Sequence, residues 1–248
     1  MAKYIIGITE AGDAGLDLSW EPKLGQVDGA VLVTKQITPS FHDAALRNMD
    51  KVILHATMTG LGGTAIEPNV PELKVEFAAL LALVHDGFPE ERIVIRIDPI
   101  IPTEYGINQA RKVFDMTAGA GFGRFRVSVV DMYPHARKRF QGAGLAVPYG
   151  LNGFSPSPAQ LAAVDKLLRE IQEEYPWARI EACAEPGLKA PIHCGCISAF
   201  DLGLLGLELL DMDELGPQRK NCMCYSGKKE MLAHKSRCGH GCLYCYWR

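Results

Sequence analysis

Short apolar, β-branched runs alternate with amphipathic stretches along most of this 248-residue chain. The strand candidates are Tyr4–Thr9, Ala30–Thr34, Val52–Thr59, Arg92–Ile97, Arg124–Val130 and Arg179–Cys183. Runs such as VILHATM and RIVIRID are nearly continuous rather than strictly alternating, which is the pattern of strands covered on both faces of a parallel sheet. Between them, Pro71–His85 sets Val75, Ala78, Leu81 and Leu83 around an apolar face, and Ile107–Ala118 follows the fourth strand. Ser157 caps a helix that Pro158 begins, with Leu161, Val164, Leu168 and Ile171 on one face. The β–α alternation predicts an α/β fold, a partial or complete (β/α) barrel. An open doubly wound sheet is the alternative, weakened because no G-x-G-x-x-G turn follows the first strand.

Polar or glycine-rich segments follow the strands: Thr34-Lys35, Thr59 through Gly63, Asp98-Pro99, and Asp131-Met132-Tyr133. In barrels such strand ends line the active site. From about Gly216 the periodicity fades and Lys, Cys and Gly accumulate. The chain therefore reads as a barrel over residues 1–215 and a cysteine-rich tail, 216–248, that closes over the barrel mouth as part of the same domain. A hydrophobic content of 48% suits one sizeable core. The net charge of -3 exerts no global pull toward nucleic acid. The N-terminus turns polar too soon for a signal peptide, and no apolar run approaches the ~18 residues of a membrane helix. The expectation is a cytoplasmic protein with no membrane partner.

All eight cysteines lie in the last third of the chain. In a reducing compartment such a cluster points to metal rather than to disulfides. Cys238, Cys242 and Cys245, in the terminal run CGHGCLYCYWR, have the spacing C-x3-C-x2-C. Three thiolates this close can hold three irons of a [4Fe-4S] cube and leave the fourth iron open. A zinc site completed by His240 or His234 is the alternative. Tyr244 and Trp247 flank the last cysteine and would shield such a centre. The other five cysteines form a second constellation, with ligands expected from Cys183, Cys196, Cys222 and Cys224, and Cys194 as the spare. It would hold a second iron–sulfur cluster, or zinc.

The C-x3-C-x2-C spacing resembles the ligand pattern of radical SAM enzymes, in which the open iron chelates S-adenosylmethionine. LVTKQ (32–36), TMTGLGGTAIEPNVP (57–71) and RIVIRIDPIIPTEYG (92–106) resemble the spore photoproduct lyase-like branch of that superfamily. Together with RFRVSVVDMY, the cysteine in IEACAE and the run RKNCMC, they look like an uncharacterised bacterial family named only as a domain of unknown function. Members of that family carry a radical-SAM-like cysteine cluster at the C-terminus. The resemblance runs from about residue 28 to the end. It implies a radical SAM barrel whose cluster loop lies at the C-terminus instead of after the first strand. It further implies a [4Fe-4S] cluster with S-adenosylmethionine, and a reducing partner such as flavodoxin or ferredoxin. The reaction would be reductive cleavage to a 5′-deoxyadenosyl radical that takes hydrogen from a substrate.

The same resemblance suggests roles for single residues. Lys35 would pair with the S-adenosylmethionine carboxylate and Thr57 would bond the methionine moiety. Glu67 would bind a ribose hydroxyl or cap the next helix. Ser128 and Tyr244 would also face the cofactor. Arg96, Asp98 and Tyr133 are the catalytic candidates. Their bland readings are a salt bridge for the first two and a pocket wall for Tyr133. A nucleotide or nucleic acid substrate is one reading of Arg124, Arg126, Arg137, Lys138 and Arg139, and a solvated helix face is the other. The rival function is a non-enzymatic zinc or iron–sulfur module on a barrel scaffold.

Overall fold

The computed structural model describes residues 4–150, 152–208, 223–232 and 238–247. Cys222 and His234 lie outside the described residues, so the expectations for them have no structural counterpart. Eight parallel strands form one sheet: β1 Ile6–Ile8, β2 Gly29–Thr34, β3 Val52–Thr57, β4 Ile93–Ile100, β5 Arg124–Val129, β6 Arg179–Cys183, β7 Ile192–Cys194 and β8 Lys228–Glu230. Their spatial order is β7-β6-β5-β4-β3-β2-β1-β8. The helices are α1 Pro39–Arg47, α2 Leu73–His85, α3 Glu104–Ala118, α4 Pro134–Gly142, α5 Pro158–Glu174 and α6 Ala199–Leu204. Seven strands pair in chain order, and crossovers of one hand then bring successive helices to the same face.

The nearly continuous apolar runs resolve into two layers. Leu32, Leu54, Ile95 and Phe125 meet Phe41 of α1, Leu80 of α2, Phe114 of α3 and Leu168 of α5. The alternate positions Val31, Ile53 and Val94 turn to the other face with Ile6, Ile8 and Cys183. Burying each such aliphatic side chain contributes about 1.5–3 kcal/mol. That second face is concave, because side chains from the C-terminal ends of β2 through β6 line one cavity of about 420 Å³. The sheet is thus a partial barrel, with β7 and β8 at its two edges.

Several boundaries differ from the sequence reading. β7 and β8 are additional strands, short and mostly exposed, with no apolar run to mark them. β4 continues through Asp98-Pro99 to Ile100, with a register shift after Ile97. On α2 only Leu83 of the expected apolar face is buried: Val75 is 60% and Leu81 41% exposed, and Glu76 and Leu80 turn inward instead. The Glu76 carboxylate accepts the Ile37 N–H at 2.9 Å, and that bond turns an acid toward the core. On α5 the Ser157 cap holds, reinforced by a capping box with Gln160. Among the described residues no helix is long and apolar enough to cross a membrane.

Candidate functional site

The cavity lies at the C-terminal ends of the strands. β2 delivers Lys35 to it, β3 Thr57, β4 Arg96 and Asp98, β5 Ser128, and β6 Cys183. Apart from Lys35, which follows its strand, these are inward positions, so strand alternation aims them. The tail supplies Cys238, Cys242, Tyr244 and Cys245 to the same cavity. The two cysteine groups, separate in sequence, therefore face one space.

Glu67 joins tail and barrel. It accepts from Lys35 Nζ at 2.9 Å, from the Tyr244 hydroxyl, and from Thr59 Oγ1 at 2.7 Å. Burial pushes the Glu67 carboxyl up, but Lys35 and the two hydroxyls outweigh it and hold the carboxyl below its ordinary value. Burial would lower the Lys35 ammonium, and Glu67 raises it past its ordinary value. The loop can reach this position because Gly62 packs where a Cβ would strike the Pro71 carbonyl and Gly63 adopts φ 74°. One expected role for Glu67 needs correction: it does not cap α2, whose N-cap is Glu72.

Further contacts staple the 238–247 segment down. His240 Nε2 lies 2.8 Å from Asp13 Oδ2, and Nδ1 lies 3.2 Å from the Asn69 carbonyl. Asn69 Nδ2 donates to the Gly239 carbonyl at 2.9 Å, and the Leu243 N–H to Ile66 at 2.9 Å. Arg139 donates to the carbonyls of Leu243, at 2.8 Å, and of Cys245. Asp13 also accepts the Lys35 N–H at 2.7 Å and the Thr34 hydroxyl at 2.6 Å, so one carboxylate links tail and strand end. With both ring nitrogens engaged, His240 is a tether and not the zinc ligand considered from the sequence.

Arg96 and Ser128 both donate to Asp98. Burial pushes the Asp98 carboxyl up, but Arg96 and the Ser128 hydroxyl hold it below its ordinary range, so it stays ionised. Tyr133 stands at the cavity rim, stacked on His135 at 5.6 Å and edge-on to Phe154 at 5.0 Å. Tyr246 lies 6.2 Å from Tyr133, and the Trp247 indole donates to the Glu10 carbonyl at 3.2 Å.

Among the described residues the upstream cysteines divide as expected, with Cys183, Cys196 and Cys224 together and Cys194 apart. The sulfurs of Cys183, Cys196 and Cys224 all lie within 4.8 Å of one another, the group among the described residues that could hold a metal ion. Cys183 and Cys196 are 3.4 Å apart, and the Cys196 N–H donates to Cys224 Sγ at 3.1 Å. Hydrogen bonds from the two neighbouring thiols, then burial, push the Cys183 thiol far above its ordinary value. Cys194 is not in this group. It sits by Arg126, Glu181 and Asp201, with its thiol pushed up to about 12 chiefly by burial.

The basic run also needs correction. Arg124 and Arg126 are neither a phosphate surface nor a solvated helix face. They are buried in β5, Arg126 bonding Glu181 at 2.6 Å and Arg124 bonding Asp201 at 2.7 Å. Arg139 is spent on the tail, and Lys138 is exposed. Glu10, Asp13 and Lys228 also line the cavity, and the sequence reading missed them. Glu10 and Asp13 follow the end of the first strand, so the strand-end rule applied there would have found both.

A search of curated proteins and of solved structures found no match to this chain. A comparison with protein families matches residues 18–247 to a domain of unknown function, DUF1848. The match begins after β1, so Glu10 and Asp13 lie outside it. Covering nearly the whole chain, it shows that this protein belongs to the DUF1848 family.

Proposed function

We propose that this protein is a radical SAM-type enzyme, with a [4Fe-4S] cluster held by Cys238, Cys242 and Cys245 and S-adenosylmethionine in the cavity beneath them. The observation that carries the reading is convergence. The C-x3-C-x2-C tail is stapled over the strand ends, with Tyr244 sharing Glu67 with Lys35. The residues fit such a group: all three tail cysteines line the cavity, and Cys242 is buried. When bound, the cluster and S-adenosylmethionine supply an electron and a 5′-deoxyadenosyl radical able to take hydrogen from a substrate.

The chain's own residues bind, orient and exclude water. Lys35 is a cation locked in place beside Cys242, positioned to counter the negative charge of thiolates and of a ligand carboxylate. Thr57 and Ser128 bring hydroxyls to the cavity wall. Asp98, kept ionised, holds the Arg96 guanidinium against the cavity, where it can orient an anionic or carbonyl group. The buried Tyr244 ring, its face 5.5 Å from the Lys35 ammonium, keeps water from the tail centre. The rim rings of Tyr133 and Tyr246 suit a planar substrate such as a nucleobase, and flavodoxin or ferredoxin would be the electron donor.

Anaerobic reconstitution with iron and sulfide, followed by reduction, should yield about four irons on the tail site and release 5′-deoxyadenosine from S-adenosylmethionine. Cys242→Ala should abolish that release. Cleavage by Cys242→Ala at the wild-type rate, or zinc alone in anaerobically purified protein, would favour a non-enzymatic metal module.

A further inference from the structure

We propose that Cys183, Cys196 and Cys224 bind one thiophilic divalent cation, of the Zn²⁺ kind, and that this ion bolts together the two edges of the open sheet. Cys183 ends β6, and Cys196 follows β7, at one edge of the sheet. Cys224 lies shortly before β8, at the opposite edge. Their meeting closes the gap that separates a partial barrel from a closed one. The seam is already in contact: the Tyr225 N–H donates to the Ile197 carbonyl at 3.2 Å, and the Cys196 N–H to Cys224 Sγ at 3.1 Å.

Sulfur spacing decides between one ion and a cluster. With Zn–S bonds near 2.3 Å, tetrahedral geometry places the sulfurs about 3.8 Å apart. Cys183 and Cys196 are 3.4 Å apart, and all three sulfurs lie within 4.8 Å of one another. In a [4Fe-4S] cube each thiolate holds a different iron, so the sulfurs splay outward from separate corners and must stand farther apart. The tail cysteines, which are among the described residues, do not form such a tight group. The two sets therefore suit different metals.

The charges agree with this assignment. Three thiolates and a divalent cation leave one net negative charge in a buried place, which needs a cation nearby. Arg126 donates to the Cys196 carbonyl at 2.9 Å, and Arg96 and Lys228 line the same cavity as the three sulfurs. Each of these cations also meets a carboxylate: Glu181 for Arg126, Asp98 for Arg96 and Glu10 for Lys228.

The proposal does not depend on radical chemistry, and its test uses protein that lacks the tail site. Full-length chain carrying Cys238→Ala, Cys242→Ala and Cys245→Ala is titrated anaerobically with Co²⁺ and then with Zn²⁺. The expected result is one Co²⁺ per chain, with sulfur-to-cobalt charge-transfer bands and the intense visible bands of a tetrahedral ion, all displaced by Zn²⁺. Adding Cys224→Ser should remove the sulfur-to-cobalt bands, whereas adding Cys194→Ser should leave them. X-ray absorption of the zinc-loaded protein should give at least three sulfurs at about 2.3 Å. This last measurement stands even where Cys224→Ser does not fold. Zinc should also raise the thermal midpoint and slow hydrogen exchange in 228–230. No metal binding by folded tail-deficient protein, or a stoichiometric iron–sulfide cluster there after reconstitution, would overturn the proposal. So would cobalt bands indifferent to Cys224→Ser.

Discussion

The Lys35–Glu67 pair provides the sharpest quantitative test of how the tail is held. Glu67→Gln keeps the side chain's shape and one carbonyl oxygen but removes the charge. Lys35 and Glu67 have only 15% and 1% of their side-chain surface exposed, so the ammonium would be left in a poorly solvated place. Removing one member of such a buried pair costs about 3–5 kcal/mol. Because glutamine can still accept from Tyr244 or Thr59, the lower figure, about 3 kcal/mol, applies. For a chain of this length each kcal/mol moves the thermal midpoint by about 2–4 °C, so a fall of about 6–12 °C is expected. The pH dependence carries its own sign. The Glu67 carboxyl is held below 4.5, so its contribution is complete above that value and is lost as pH falls through the lowered value. The Lys35 ammonium is held above 10.5, so its contribution is complete below that value and is lost as pH rises through the raised one. Between those limits the wild-type advantage over Glu67→Gln should be flat. The assay is calorimetry of wild type, Glu67→Gln, Lys35→Met and the double variant at pH 7.5. A favourable coupling between the two sites is expected, with the double variant losing less than the sum of the singles. A midpoint shift under ~2 °C, or additive losses, would mean that Lys35 is solvated and that the clamp is absent.

Three other outcomes follow from the same geometry. His240→Ala removes the buried bond to Asp13, worth about 1.5–3 kcal/mol if charge-assisted; iron bound at the tail site should fall by at least half while cobalt bound at the seam is unchanged. Burial pushes the Glu76 carboxyl up to about 8. The folded state then holds that proton longer than the unfolded one, so stability should fall between pH 4.5 and about 8, and Glu76→Gln should flatten that slope in urea titrations. Arg126→Met leaves Asp201 dependent on Arg124 and Glu181 on Arg124 and Arg179, and thermal melting should register a loss of about 3 kcal/mol, the lower end for a broken buried pair.

Much of the frame was legible locally. Strands β2 to β6 stood out because both their faces are covered, which keeps the runs apolar. The α5 start was readable because a cap is a contact between residues three apart. β7 and β8 were not readable because, unlike the equally short β1 in its apolar run, IHC and KKE are mostly exposed and carry no apolar run. The inward face of α2, Leu83 apart, was misread for another reason. The helix is apolar nearly all round, and the bond from Ile37 to Glu76 selects its orientation. Arg124 and Arg126 looked like surface charge because their partners, Glu181 and Asp201, come from distant segments.

The cysteines mark the boundary between the two kinds of information. Residue type and spacing determined that thiolate chemistry is concentrated at the C-terminal third, and that Cys238, Cys242 and Cys245 can form a set, because neighbours in sequence cannot be far apart in space. Cys183, Cys196 and Cys224 were expected as ligands with Cys194 as the spare, and the tertiary structure supplies the physical reason. Cys194 and Cys196 are two residues apart, yet Cys196 meets Cys183 and Cys224 while Cys194 turns toward Arg126. The curl of the sheet brings its β7 and β8 edges together, and only that closure sets the distance from Cys196 to Cys224, 28 residues farther along the chain.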